Sequence, residues 1–307
     1  MKTYAILFPG QGSQFVGMGA DVFAARPDLL GDTADDVLDW SLSTVVSQGP
    51  DDELTRTDRA QAALYAISYA LWALLAEAMP RPPSATAGHS LGEYTGLTAA
   101  GAIGFREGLA LVAARGEAMA AAAALEPSTM LALMGADIAA AEEMAAGRRD
   151  AGGKLWVANI NAPGQIVLAG SIEDIDWLMN NADQSGARRA IPLNVAGAFH
   201  SPYMEPAAES LARALTAADF AETGYPVYAN VSARPMTDPK AQLARQLVEP
   251  VRFAESLEQM AADGIDAFIH VGPGNVTAGL ARRSVPGAAT YTVSAIDDIQ
   301  GAVAFIE

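Results

Sequence analysis

The chain has 307 residues, of which 51% are hydrophobic and 18% are charged, so it can bury a sizeable core. Its formal net charge of −17 at pH 7 argues against binding to nucleic acid or anionic membranes, because such binding requires a basic face that displaces counterions. The absence of cysteine excludes disulfides, thiolate metal sites and thiol nucleophiles.

The first predicted element is a buried strand at 4–8, YAILF, followed by turn residues at 9–14, PGQGSQ. This apolar run is too short for a membrane span or the core of a signal peptide, so we expect a soluble, cytoplasmic protein. The glycines that follow do not fit a nucleotide site. The third glycine of G-x-G-x-x-G would fall at Phe15, and the Gly-Lys-Ser/Thr of a phosphate-binding loop is absent.

Further apolar runs alternate with helical stretches along most of the chain. That alternation predicts an α/β core in which helices cover a mainly parallel sheet. The predicted strands lie at 85–90, 225–233, 266–274 and 289–294, and the predicted helices include 203–218 and 253–262.

The middle of the chain has a different predicted order, which is strand, helix, hairpin, helix and strand. The order βαββαβ is that of a ferredoxin-like unit. Ser171 and Asp174 have the spacing of a capping box at the start of its second helix. We therefore expect a small ferredoxin-like subdomain at 126–194, inserted into a larger α/β subdomain made of 1–125 and 195–307.

Residues 88–92, GHSLG, match G-x-S-x-G, the strand-to-helix corner on which α/β-hydrolases hold an exposed nucleophilic serine. A strand is predicted before the match and a helix after it, which is the context that the motif requires. The alternative is a plain turn. We favour a nucleophilic Ser90 on a hydrolase-like larger subdomain.

A serine hydroxyl needs a base within hydrogen-bond reach, and the chain has only three histidines. His89 is the neighbour of Ser90 on a sharp turn, so its side chain should point elsewhere and pack under the corner. His270 lies in an apolar strand, as buried structural histidines do, whereas His200 lies in a loop after a strand, where catalytic residues are common. The sequence favours His200, leaves His270 as the alternative, and selects no triad carboxylate by spacing.

Seven motifs, in the same order, resemble those of the malonyl-CoA:acyl carrier protein transacylases of fatty-acid synthesis, and they cover nearly the whole chain. The motifs are FPGQGSQ (8–14), GHSLGEY (88–94), the LVAARGEAM segment with Arg115, NAPGQIVLAG (161–170), AFHSPYMEPA (198–207), QLVEPVRF (246–253) and VGPGNV (271–276).

This resemblance implies a ping-pong acyl transfer. Ser90 would attack the thioester of malonyl-CoA while His200 takes its proton, and the phosphopantetheine thiol of holo acyl carrier protein would then attack the malonyl ester. The backbone carbonyl of Gln246 would orient the histidine, and the backbone N–H groups of Gln11 and Leu91 would bind the oxyanion. The resemblance implies no metal and no bound cofactor, because CoA serves only as the substrate carrier, and we expect a monomer.

Two further residues bear on the acyl group. The helical neighbours of Arg115 three and four positions away are all apolar, so its guanidinium either extends to solvent or needs a buried anion. The resemblance implies that this anion is the malonyl carboxylate. It also implies that Phe199 crowds a 2-methyl branch and favours malonyl over methylmalonyl, the alternative being a ring that only fills the core.

Three other functions stay open. A serine hydrolase would use the same groups but accept water, and an acyltransferase of polyketide synthesis would use the same chemistry with another carrier. A non-catalytic module that binds carrier protein would require a broken site.

Because carrier proteins are usually acidic, docking on this acidic chain implies a local basic patch. The candidates for it are Arg148, Arg149, Arg188 and Arg189.

Overall fold

The computed structural model describes residues 2–307. Its strands are β1 (Tyr4–Phe8), β2 (Ala85–Gly88), β3 (Ser128–Met134), β4 (Leu155–Ala162), β5 (Gln165–Ser171), β6 (Arg189–Pro192), β7 (Val227–Tyr228), β8 (Ala267–Val271) and β9 (Ala289–Val293).

Helices fill most of the chain between the strands. They are α1 (Ala20–Ala25), α2 (Pro27–Leu30), α3 (Asp32–Leu38), α4 (Leu42–Gln48), α5 (Asp51–Thr55), α6 (Thr57–Ala78), α7 (Gly92–Ala99), α8 (Phe105–Ala123), α9 (Ile138–Asp150), α10 (Ile172–Asn181), α11 (Glu205–Ala217), α12 (Pro239–Gln246), α13 (Phe253–Ala262), α14 (Val276–Ser284) and α15 (Ile299–Ile306). Short 3-10 helices lie at Ala182–Ser185, Pro202–Met204 and Ile296–Asp298.

One sheet has five parallel strands in the order β7-β2-β1-β8-β9. Every residue of β1 is buried, as expected for a central strand covered by helices on both faces. In the register of this sheet Phe8 lies beside Gly88, so β1 and β2 end at the same edge. The carboxyl ends of parallel strands are where ligand sites form in open α/β sheets, and the corner at 88–92 lies there.

A separate sheet has four antiparallel strands in the order β4-β5-β3-β6. Its elements follow the predicted order βαββαβ, within 128–192. The prediction of an α/β protein with a parallel sheet and a second, smaller sheet is confirmed. The subdomain limits of 126 and 194 stay a prediction. Backbone hydrogen bonds join the two parts, because Ile160 of β4 donates to Val251 O and Val251 donates to Ala158 O, both at 2.9 Å.

Two local predictions differ from the structure. The strand expected at 225–233 is only Val227–Tyr228, because the chain turns directly afterwards, with Ala229 N–H donating to Arg234 O at 2.9 Å. At the start of α10, Ser171 Oγ accepts the Asp174 N–H at 3.1 Å, but the Ser171 N–H donates to Lys154 O instead of to the Asp174 carboxylate. Only the serine side of the predicted capping box is therefore formed.

No helix among residues 2–307 is both long and apolar enough to cross a membrane.

Candidate active site

The corner between β2 and α7 carries Ser90 with φ of 50°, in the left-handed region. The backbone of this corner contacts itself between Gly88 and Gly92, and it also contacts the end of β1. A Cβ atom on Gly88 would lie 1.8 Å from the carbonyl carbon of Gly92, and one on Gly92 would lie 2.5 Å from Phe8 O. Both glycines of G-x-S-x-G are thus required by close approach, which explains the motif physically.

His200 is the histidine that meets this serine. Its Nε2 lies 2.8 Å from Ser90 Oγ, and its Nδ1 lies 2.7 Å from the backbone carbonyl of Gln246. A carbonyl only accepts, so Nδ1 carries the hydrogen and the Nε2 lone pair faces the hydroxyl. Burial and, to a smaller extent, the nearby Arg115 charge together lower the pKa of His200 to about 3. The imidazole is therefore neutral near pH 7 and can accept a proton.

Arg115 of α8 approaches the same hydroxyl from another side. Its side chain is 1% exposed, and Nη2 donates to Ser90 Oγ and to Gln246 Oε1, both at 2.9 Å. Nη1 donates to Gln61 Oε1 at 2.5 Å, whereas Nε has no hydrogen-bond partner. Burial lowers the pKa of the guanidinium. Within residues 2–307 no carboxylate lies within ion-pair distance of it, so this buried cation has no anion in direct contact.

The backbone N–H groups of Gln11 and Leu91 are the expected oxyanion donors. Among the described residues neither N–H has a hydrogen-bond acceptor. Gly10 brings the β1 loop against the corner, because a Cβ on Gly10 would lie 2.5 Å from His89 O. Both groups are free to donate at the edge of the sheet where Ser90 lies.

Three buried polar residues support the corner from behind, and we call Glu93, Asn230 and Gln246 the elbow bracket. Asn230 Oδ1 accepts the Ser90 N–H at 2.8 Å, and Gln246 Nε2 donates to Ser90 O at 2.9 Å. Glu93 accepts the Asn230 N–H at 3.1 Å and also accepts from Gln246 Nε2. All three side chains are fully buried.

Sequence reasoning assigned no role to the side chains of the elbow bracket. Asn230 matches an asparagine near the cleft of the transacylases that the sequence resembles, but asparagine beside a turn is ordinary turn chemistry, so it stayed unassigned. Glu93 lies in the first turn of a helix, where acidic residues are common, so its position gave no signal.

None of the remaining candidates among the described residues forms a hydrogen bond with the Ser90 hydroxyl, whose partners are His200 and Arg115. His89 Nε2 contacts Asn161 Oδ1 at 2.6 Å and the ring packs against Phe253, under the corner as expected. His270 is buried on β8 with its nitrogens directed at Thr277 Oγ1 and Gly272 O, and burial lowers its pKa to about 4. Phe199 is 5% exposed and packs in the main hydrophobic core, so both interpretations of its ring still apply.

The chain is similar to acyl-group transferases along nearly its whole length. The family model of the acyl transferase domain matches residues 5–296. A malonyl CoA-acyl carrier protein transacylase of Bacillus subtilis is 41% identical over 308 residues, covering 99% of this chain and 97% of that protein.

Solved structures of malonyl transacylases are also similar to this chain along nearly its whole length. The malonyl CoA-acyl carrier protein transacylase of Coxiella burnetii has a TM-score of 0.94 at 32% identity, covering 99% of this chain and 98% of the other. A malonyl-transacylase solved in complex with its type II polyketide synthase acyl-carrier protein has a TM-score of 0.92 at 35% identity, covering 98% and 99% of the two chains.

Proposed function

The chain belongs to the acyl transferase domain family, and on that basis we propose that it transfers the malonyl group from malonyl-CoA to the phosphopantetheine thiol of a holo acyl carrier protein, supplying extender units for fatty-acid synthesis. The larger subdomain, 1–125 and 195–307, carries the reacting groups, and the smaller subdomain, 126–194, meets the corner through the contact of Asn161 with His89. The Bacillus subtilis relative is named for the same transfer.

The observation that carries this proposal is the buried guanidinium of Arg115 beside the Ser90 hydroxyl. A buried cation is costly unless an anion compensates its charge. The malonyl carboxylate is such an anion, and the planar guanidinium suits a bidentate contact with it. Acetyl-CoA would leave the charge unpaired, so the site should select malonyl.

In the first half-reaction Ser90 Oγ attacks the thioester carbonyl carbon while its proton passes to His200 Nε2. The oxyanion of the tetrahedral intermediate accepts from the N–H groups of Gln11 and Leu91. The Gln246 carbonyl, bound to Nδ1–H, stabilises the imidazolium. Collapse breaks the C–S bond, and the departing CoA sulfur takes the proton from Nε2, leaving a malonyl ester on the serine.

In the second half-reaction the phosphopantetheine thiol of the carrier protein gives its proton to His200 Nε2 and attacks the ester carbonyl. Collapse breaks the ester C–O bond and returns the proton to Ser90 Oγ. Protons and charges balance across the cycle. The proposal therefore needs no resident cofactor or metal, and CoA takes part only as a substrate carrier. We place the reaction in the cytoplasm and assign it to a monomer.

A carrier protein of polyketide synthesis is the second candidate partner, because the chain is similar to a malonyl-transacylase solved with such a carrier. Two of the candidate docking arginines are already engaged, since Arg148 pairs with Asp174 and Arg149 donates to a backbone carbonyl. The exposed Arg188 and Arg189 are the better candidates for contact with an acidic carrier.

Intact-mass analysis after mixing with malonyl-CoA tests the proposed function. We expect one malonyl adduct on the wild type and on Ser43→Ala, an exposed-serine control, and none on Ser90→Ala. Added holo carrier protein should discharge the adduct as malonyl carrier protein. Release as free malonate would indicate a hydrolase instead, and an adduct on Ser90→Ala would refute the assigned nucleophile.

A further inference from the structure

Glu93 is a buried carboxyl group placed directly behind the nucleophile, and the mechanism above does not use it. It lies on α7, one turn after Ser90, and its side chain is fully buried. Burial raises the pKa of this carboxyl to about 8, against the opposing effects of its hydrogen bonds to Asn230 and Gln246 and of the Arg115 charge. A carboxyl group in so unfavourable a position is typical of a functional site.

Both oxygens of this carboxyl accept hydrogen bonds from groups that touch the reacting residues. Oε1 accepts the backbone N–H of Asn230, whose side chain binds the Ser90 N–H at 2.8 Å and donates to Gly88 O at 2.8 Å. Oε2 accepts from the side-chain amide of Gln246. Removing Glu93 would therefore release both other members of the elbow bracket.

Gln246 connects this carboxyl to Ser90, Arg115 and His200. Its Nε2 donates to Ser90 O, its Oε1 accepts from Arg115 Nη2, and its backbone carbonyl accepts from His200 Nδ1. The amide can make these contacts only in one orientation, with the nitrogen toward the carboxyl and the oxygen toward the guanidinium. Glu93 and Ser90 O are the two acceptors that hold the amide nitrogen in this orientation, and Glu93 is the one that a side chain supplies.

From these contacts we infer that Glu93 is a positioning residue, whose carboxyl group fixes the Gln246 and Asn230 amides and thereby sets the alignment of the Ser90 hydroxyl with the His200 imidazole. This inference rests on the proposed function only for the malonyl readout below. An amide cannot replace the carboxyl, because Gln at position 93 would turn its NH2 group toward one of two N–H donors.

The test uses a serine-directed alkyl fluorophosphonate, which carries no carboxylate and reports the reactivity of Ser90 independently of malonyl-CoA. We expect Glu93→Gln to slow phosphonylation about tenfold or more, as loss of alignment between a nucleophile and its base does. The matched control is Thr98→Val, another buried polar residue of α7, whose hydroxyl contacts Tyr65 and Tyr94 O and not the elbow bracket. Its rate should stay within about twofold of the wild type, as for a change outside the reacting groups.

A conservative replacement separates positioning from simple loss of stability. Glu93→Asp keeps a carboxyl group, whose two oxygens can accept from the Asn230 N–H and the Gln246 amide, on a side chain one methylene shorter. Its phosphonylation rate should exceed that of Glu93→Gln by about threefold or more, because a carboxyl oxygen can accept where the amide nitrogen of Gln cannot. Glu93→Asp also serves when Glu93→Gln alone fails to fold, and urea denaturation of each variant measures its stability separately from its reaction rate.

Malonyl loading supplies a second readout. Glu93→Gln should lower the maximum loading rate while the half-saturating malonyl-CoA concentration changes by less than about threefold, because Arg115 keeps its Gln61 contact. Phosphonylation of Glu93→Gln at the wild-type rate, or of Glu93→Asp no faster than Glu93→Gln, would overturn the inference. If the wild type takes no malonyl group but the phosphonylation rates follow the expected order, the proposed function fails and the role of Glu93 is supported.

Discussion

Ser90 and His200, 110 positions apart in the chain, meet at 2.8 Å and both hold a left-handed backbone, with φ of 50° and 56°. Such a conformation costs a non-glycine residue on the order of 1–3 kcal/mol. The Ser90 N–H donates to Asn230 Oδ1 and Ser90 O accepts from Gln246 Nε2, and these two hydrogen bonds keep the backbone of Ser90 in place. The two residues are therefore aligned before substrate arrives, which is the condition for a fast proton transfer.

The pH dependence of malonyl loading below pH 7 tests the protonation state of His200. The neutral imidazole is the base, and burial lowers the pKa of His200 to about 3, so the base should stay neutral well below pH 6.5. We expect kcat/KM for malonyl loading to stay level as the pH falls from 7 to 5, because this ratio reports the free enzyme. A fall with a midpoint near pH 6.5 would contradict the assigned burial of the base.

Arg115 should determine the choice of acyl group. In Arg115→Ala the malonyl carboxylate loses its buried partner, so we expect kcat/KM for malonyl-CoA to fall about 10²-fold or more, the usual effect of removing one member of a buried charge pair. Loading from acetyl-CoA should change far less, so the preference for malonyl collapses. Competition between the two thioesters, read by intact mass, measures this.

Arg106→Ala is the matched control, because Arg106 lies on the same helix with its side chain 59% exposed. Its selectivity should equal that of the wild type. Arg115→Ala with unchanged preference for malonyl would show that another group recognises the carboxylate.

Close packing at the corner makes Gly88 intolerant of a side chain. In Gly88→Ala the new Cβ would lie 1.8 Å from backbone at Gly92, so the corner must shift. We expect a loss of about 2 kcal/mol or more in unfolding free energy, as for overpacking, and no malonyl loading. Gly147→Ala in helix α9 is the control, since nothing lies within 4 Å of its new Cβ. Gly147→Ala should gain up to about 1 kcal/mol in unfolding free energy and should take the malonyl group at the wild-type rate.

The elements around the site differ in how far sequence could predict them. The corner at 88–92 was readable because its glycines, strand and helix are local in sequence. Asn230 and Gln246 bind the backbone of Ser90 across 140 and 156 positions, and such contacts leave no periodic pattern. The apolar run at 225–233 predicted a full strand, but the chain turns after Tyr228, and this turn brings Asn230 to the corner.

The last prediction concerns His270, which is buried away from the reacting groups. Burial lowers its pKa to about 4, below the ordinary value of 6.5, so the unfolded chain binds a proton between these pH values and the folded chain does not. The stability contributed by the neutral ring is complete above pH 6.5 and is lost as the pH falls, by about 1.4 kcal/mol per pH unit. His270→Asn, which can still form a hydrogen bond with Thr277, should therefore lose less unfolding free energy than the wild type between pH 6.5 and 4.5, measured by urea denaturation.

His89 and His200 are buried as well, and they contribute to the pH dependence of the unfolding free energy in both proteins. The difference between variant and wild type therefore isolates the contribution of His270. Equal slopes would mean that the ring titrates alike in both states.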